Sequence, residues 1–394
     1  MNIEQLLKGV VVVIDDEIDN QDANINKLIS QLNEKRYSIL KYKELDEIDV
    51  TKLGNIAFLL LDWDLGGSLL DEDDKISGVQ IPSLREEDII ENITFIREFI
   101  NSTFCPIFIF SNHDVDNIKT DLIEKNIIND SAPSRIFIKS KRDIENQGQL
   151  FEEISIWLKK TPSMYVLKKL ETEYQKAVNT FFNDFQNFSP FWPLILWDCF
   201  KKDEVNPSYE LTELLIRNLH NRIPQFKFCE EIMEKREIKP NKEEIRKVLE
   251  GERFLPKERL DIDDVGTGDL FKISEMNYLL NIRPQCDLLH EDEVMIYCIE
   301  GEIVPKEKVT NNFSEKLGQF NEVINKAIVP FIDNDKRIDF SFNEIIIKKF
   351  NEEKEKRIGR LLPPYITRIQ QRFALYLQRQ GLPRIPVEVM KDTE

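Results

Sequence analysis

Histidine is scarce and cysteine unpaired in this sequence of 394 residues. Its three His are isolated, which excludes a His-rich metal site. Cys105, Cys199, Cys229, Cys286 and Cys298 form no C-x-x-C pair. That excludes a zinc ribbon or a disulfide framework, and the odd count fits reduced thiols. Long apolar runs are missing as well. None reaches the ~18–20 residues that a membrane-spanning helix needs. The opening MNIEQLLKGV has no basic stretch and no long apolar one, so no secretory leader is expected. Positive charge is outweighed: 54 Lys and Arg face 72 Asp and Glu, a formal charge of −18. Nucleic-acid binding draws its affinity from neutralised phosphates, so this balance weighs against it. There is no G-x-x-x-x-G-K-[ST], G-x-S-x-G or H-E-x-x-H, and hence no NTPase, hydrolase-elbow or zincin signal. The expectation is a soluble, cytoplasmic, non-membrane protein.

What is present suffices for packed cores, with 41% hydrophobic and 32% charged residues. Over residues 1–160, strand and helix signals alternate. Val10–Ile14 is a continuous β-branched run of the kind buried in parallel sheets. Tyr37–Tyr42, Ile56–Leu61, Pro106–Phe110 and Arg135–Ile138 are further strand candidates. Amphipathic stretches separate them, including one with Ile25, Leu28, Ile29 and Leu32 on one face. This rhythm predicts an α/β fold, a doubly wound parallel five-stranded sheet. Residues 161–258 read as a helical connecting region. Its buried face is expected through Leu167, Leu170, Tyr174, Ala177 or Val178, Phe181 and Phe185. The aromatic cluster Phe188, Phe191, Trp192 and Trp197 should pack a helix turn, and Lys235–Glu258 should form a solvated helix with a linker. Residues 259–394 predict a smaller α+β domain. Its strands are expected at Asp269–Ile273, Tyr278–Ile282, Val294–Ile299 and Ile338–Ile347, with a terminal helix at Thr367–Arg379.

Ligands of doubly wound sheets gather beyond the carboxyl ends of the strands. Four candidate strands of the first domain end in polar residues: Asp15-Asp16, Asp62, Ser111 and Lys139. Crowded carboxylates need a counter-charge. A set of oxygen-only ligands suits Mg²⁺, which takes one or two carboxylates together with phosphate oxygens. Asp62 then reads as a nucleophile that forms an acyl phosphate, with Lys139 and Ser111 binding the phosphoryl oxygens.

In this order, over roughly residues 9–159, the acidic pair, LLLDWDL, IFIFSNH and RIFIKS resemble the response-regulator receiver family of two-component signalling. The resemblance implies a flavodoxin-like domain with Asp62 as phospho-acceptor. Mg²⁺ would be held by Asp15, Asp16, Asp62 and the backbone carbonyl of Asp64. Ser111 and Lys139 would be the switch pair, and Asp64 and His113 would tune dephosphorylation. The sequence departs from the family in several places. Gly66 stands where the family has Pro, and Ser68–Glu87 lengthens the loop, with an acidic run at Asp71–Asp74 that is read as a solvated insertion ahead of a kinase-docking element. Ser140 replaces the Pro after the lysine, and Ile136 the relaying aromatic.

The carboxy-terminal segments GTGDLFKI…YLLNIRPQCDLL and RIGRLLPPYITRIQQRFALYLQRQGLPRIP look like those that accompany atypical receivers in bacterial defence loci. The whole chain resembles the buffering receiver component of Detocs-type phage-defence systems. The implied partners are a sensor histidine kinase and a second, effector-bearing response regulator. The implied role is a phosphoryl sink rather than an enzyme. Two other readings stand beside it: a response regulator whose C-terminal region is the effector, and a scaffold that is not phosphorylated.

Two further groups stand out in the sequence. Cys286, Asp287 and His290 could pair a nucleophile with a base, but the incidental reading is favoured. Arg357, Arg360, Arg368, Arg372, Arg379 and Arg384 form a basic stretch. It is read as docking on an acidic protein surface, in this chain or a partner, ahead of nucleic acid.

Overall fold

A computed structural model of the protein describes residues 6–20, 23–65, 86–111, 114–130, 132–144, 149–203, 205–234, 240–288, 293–332, 336–381, 386 and 389. The chain divides into two compact units. One comprises residues 1–195 with 211–236, the other 196–210 with 237–394.

The first unit is built on the expected sheet. Its strands are β1 (Val10–Ile14), β2 (Ser38–Tyr42), β3 (Ile56–Leu61), β4 (Ile107–Ser111) and β5 (Ile136–Ser140). They lie in the order β2-β1-β3-β4-β5, and every neighbouring pair is parallel. This strand order is consistent with a flavodoxin-like receiver fold. Both faces are covered by helices, which explains the near-continuous apolar strands. One face carries Val11, Val13, Phe58, Leu60, Phe108 and Phe110, packed with Leu28, Ile154 and Trp157. The other carries Val12, Ile14, Leu59, Leu61, Ile107 and Ile109, packed with Ile96, Phe99 and Leu122. The helices include α1 (Asn24–Glu34), α2 (Glu86–Ser102), α3 (Val115–Glu124) and α4 (Gln149–Lys160).

A long helix follows directly, α5 (Pro162–Phe188). Its buried side chains are Met164, Tyr165, Lys168, Glu173, Ala177 and Phe181. Leu170 and Tyr174, expected on that face, are 45% and 46% exposed. Lys168 explains the offset. Its aliphatic stem is buried, and its ammonium donates to the Ile56 carbonyl (2.9 Å) and to Glu171 (2.9 Å). Trp192 begins α6 (Trp192–Lys202) and packs edge-on against Phe181, Phe182 and Phe185. Phe188 and Phe191, from the same expected cluster, are exposed.

Two more helices, α7 (Pro207–Arg222) and α8 (Glu230–Glu234), precede α9 (Lys242–Arg253). The last is the expected solvated helix. It buries no residue and opens on a capping box, in which Asn241 and Glu244 satisfy each other's backbone amides.

The second unit is a mostly antiparallel eight-stranded sheet. It contains β6 (Phe254–Pro256), β7 (Asp269–Lys272), β8 (Asn277–Asn281) and β9 (Met295–Ile303). A small hairpin of β10 (Phe313–Ser314) and β11 (Gln319–Phe320) stands apart. The sheet resumes with β12 (Lys326–Ile332), β13 (Lys336–Ser341), β14 (Ile346–Lys349) and β15 (Arg357–Leu361). The expected strand Ile338–Ile347 is therefore two strands. The break at Phe342 turns that ring into the core, against Phe373 and Tyr376 of α10 (Tyr365–Leu377).

The arginine stretch is consumed largely within the chain. Arg360 Nε bonds Asp269 (2.7 Å) and Arg357 Nη1 reaches the same carboxylate (3.3 Å). Arg357 also donates to the carbonyls of Asp261 and Asp264. Arg368 and Arg372 converge on Glu322. Arg379 lies over the Tyr376 ring, and Arg384 falls outside the described residues. Among the described residues, no helix is long and apolar enough to cross a membrane.

Candidate functional site

Strand order determines which chain ends meet. β1 and β3 are neighbours in register, so the residues after Ile14 and Leu61 emerge side by side. The Asp62 amide donates to the Ile14 carbonyl (2.9 Å), and the Asp15 amide donates to that of Tyr42 (3.0 Å). Asp15, Asp16 and Asp62 can each bring a carboxylate oxygen within 4.8 Å of the others. Asp15 is fully buried and Asp62 is 6% exposed.

The counter-charge comes from Lys141. Its Nζ lies 2.6 Å from Asp15 Oδ2 and 2.6 Å from Asp62 Oδ2. The lysine is itself buried. Backbone amides complete the set: Glu17 N donates to Asp15 Oδ1 (3.0 Å) and Asp64 N to Asp62 Oδ1 (3.3 Å).

The electrostatics follow from burial. Desolvation pushes the Asp62 carboxyl up to about 7, helped by Asp15 and opposed by Lys141. Asp16 is raised by burial, then by Asp15 and Glu17. Burial pulls on Lys141 in the downward direction, but Asp62 and Asp15 outweigh it and hold the ammonium above its usual range.

This donor set fits a hard cation. Three carboxylates against one ammonium leave two negative charges when all are ionised. All of the side-chain donors are oxygens, and the groups are preassembled. Asp15, Asp16 and Asp62 could hold a divalent ion.

Lys139, the lysine expected at the site, is elsewhere. Its Nζ bonds Glu153 of α4 at 2.6 Å. The reason is strand alternation. Lys139 pairs with Phe110 in register, and both belong to the face that α4 covers. Lys141 lies beyond the end of β5, in a 3₁₀ turn, where a side chain can reach over the sheet's carboxyl rim. Counting back from Lys141 does not restore a relaying aromatic either, since the equivalent place is Ile138.

Ser111 is the last residue of β4, fully buried, opposite Ser140. Asp64 is partly exposed, just beyond Asp62. His113, Gly66 and the acidic run Asp71–Asp74 lie outside the described residues.

Sequence reasoning missed Asn92. It sits buried on α2, and its amide donates to the Trp63 carbonyl at 2.6 Å. The signal was a lone Asn among the apolar positions of that helix. Asn92→Ala should cost about 1–3 kcal/mol, the penalty for leaving a buried carbonyl unpaired. Urea denaturation checks this, and an unchanged midpoint would contradict it.

Of the Cys286 group, Cys286 and Asp287 are described. Cys286 Sγ lies 3.4 Å from Asp287 Oδ1, and that hydrogen bond raises the thiol's pKa, the opposite of activation. His290 is outside the described residues.

No protein-family model matches the sequence, and no curated protein matches it.

Proposed function

We propose that the chain accepts phosphoryl groups on Asp62 from a partner histidine kinase, with Mg²⁺ as cofactor. The observation that carries this reading is Lys141, bridging Asp15 and Asp62 at 2.6 Å each beyond the carboxyl ends of adjacent parallel strands. A structural ion pair would need one carboxylate. Here a third, Asp16, stands beside the pair.

The chemistry is a phosphoryl transfer. An Asp62 oxygen attacks phosphorus, a P–O bond forms, and the P–N bond of a phosphohistidine breaks, the imidazole leaving and regaining a proton. A bound Mg²⁺ would neutralise charge on the phosphoryl oxygens and on the carboxylates. Lys141 is held ready to bind a new phosphoryl oxygen in place of Asp62 Oδ2. Ser111 occupies the neighbouring strand end, where its hydroxyl suits another.

A buffering role, in bacterial antiviral defence, is the finer part of the proposal. A sink needs an acceptor, a metal site and a surface that the kinase recognises. A switch also needs an element that reads the phosphate, and neither Ile136 nor Ile138 supplies a relaying aromatic. Asp62→Asn should abolish kinase-dependent labelling, as should EDTA, while circular dichroism stays native. In cells with the kinase and an effector regulator, the variant should increase spontaneous toxicity. Labelling that persists on another residue would sink phosphoryl acceptance at Asp62. Growth arrest by phosphorylated wild type alone would replace the sink with an effector.

A further inference from the structure

The second unit contains a cavity of about 640 Å³, within the range of small-ligand sites. Its wall includes one residue in an unusual conformation. Phe331 has φ of 57°, a left-handed backbone that bulky side chains avoid. It is the extra residue of a β-bulge: Pro330 pairs with Arg337 and Ile332 with Lys336, leaving Phe331 without a partner across the ladder. Such bulges re-aim a side chain, and strained residues cluster at ligand sites. The ring lines the cavity, together with Phe313, Phe320 and Tyr365.

The charge in this cavity is unevenly used. Arg337 is satisfied by Asp339 at 2.8 and 3.0 Å and by backbone carbonyls. Arg368 is taken by Glu322, whose other oxygen accepts from the Ile328 amide (2.6 Å). Arg253 differs. Its guanidinium stacks over the rings of Phe331 (5.5 Å) and Tyr365 (5.0 Å). It makes one long bond, to the Pro330 carbonyl (3.4 Å), and its buried Nε has no partner. Among the described residues no carboxylate pairs with it. A buried donor without an acceptor is expensive unless something supplies one.

We propose that this cavity binds a small planar anion, with its flat body against the aromatic walls and its anionic group on Arg253. A nucleoside phosphate and an aromatic carboxylate share that chemistry. The site is separate from the acidic cluster, so it stands or falls independently of phosphoryl acceptance at Asp62.

The test is calorimetric titration of the full chain with AMP and with indole-3-acetate, using adenosine and inorganic phosphate as half-ligand controls. Saturable binding is expected for at least one anion, and which one binds identifies the source. Arg253→Met should weaken it about tenfold or more, the loss of a charge-assisted bond. Phe331→Gly suits the backbone and removes the wall, so it should weaken binding comparably while the melting temperature stays near wild type. Lys349→Ala, on an exposed ion pair with Glu293, should bind as wild type does. The proposal is overturned if neither anion binds, if Arg253→Met binds equally well, or if adenosine binds as tightly as AMP.

Discussion

Replacing Lys141 with alanine should destabilise the first unit by about 3–5 kcal/mol at neutral pH and stop phosphoryl transfer to Asp62. The side chain is 1% exposed and bonds two carboxylates that are themselves 0% and 5% exposed. Its removal leaves buried negative charge with no compensating cation. The penalty should be largest above about pH 7, where Asp62 is ionised, and shrink below it, where the carboxyl already holds its proton. It should also shrink in millimolar Mg²⁺, because a divalent ion replaces the missing positive charge. Lys139→Ala is the control. That lysine is 24% exposed and pairs with a Glu153 that is 21% exposed, a partly solvated bridge worth at most about 1 kcal/mol. Denaturant melts in EDTA and in Mg²⁺, at two pH values, distinguish the two lysines. If Lys139→Ala were the damaging change and Lys141→Ala were silent, the site would have to be redrawn around Lys139.

The confusion between these lysines marks where the sequence stops being legible. IFIKSK offers two candidates two residues apart, both on one parity. Choosing between them requires knowing where β5 ends, and strand ends are set by pairing partners rather than by the strand itself. The parallel strands were easier to read because burial on both faces leaves a continuous apolar signature, as in Val10–Ile14 and Ile56–Leu61. The acidic cluster was legible for the same reason: Asp15 and Asp62 each directly follow such a run, and Asp16 adjoins Asp15.

The second unit hid more. β15 reads RIGRL and looks like surface, yet Arg357 is 3% exposed because Asp269 on β7 neutralises it across the sheet. β12 contains Pro330, which argues against a strand, and a bulge at Phe331 that no local pattern announces. Asn92 escaped notice because its partner, the Trp63 carbonyl, is twenty-nine residues away. Tertiary partners made each of these decisions.

The stability of the protein without metal should fall as pH rises, and Asp62 should be the chief cause. An ordinary aspartate titrates near 3.8, but burial lifts this one to about 7 in the folded chain. The folded state therefore holds a proton that the unfolded state releases. The contribution of Asp62 is fully present below about pH 4, declines across the interval up to about 7, and then levels off. The span corresponds to roughly 2–4 kcal/mol, since each pK unit is worth about 1.4 kcal/mol and Lys141 shares the titration. Asp62→Asn has no proton to lose. In EDTA it should match wild type near pH 4 and exceed it above pH 7. Mg²⁺ should act in the opposite sense, because it binds the deprotonated carboxylate and competes with the proton. It should stabilise wild type strongly at pH 8 and weakly at pH 5, and should do little for Asp62→Asn at either. Thermal melts at four pH values with and without Mg²⁺ measure both slopes. A wild type whose stability rises from pH 4 to pH 8 in EDTA would show that Asp62 is ionised throughout, leaving no buried proton for the metal to displace.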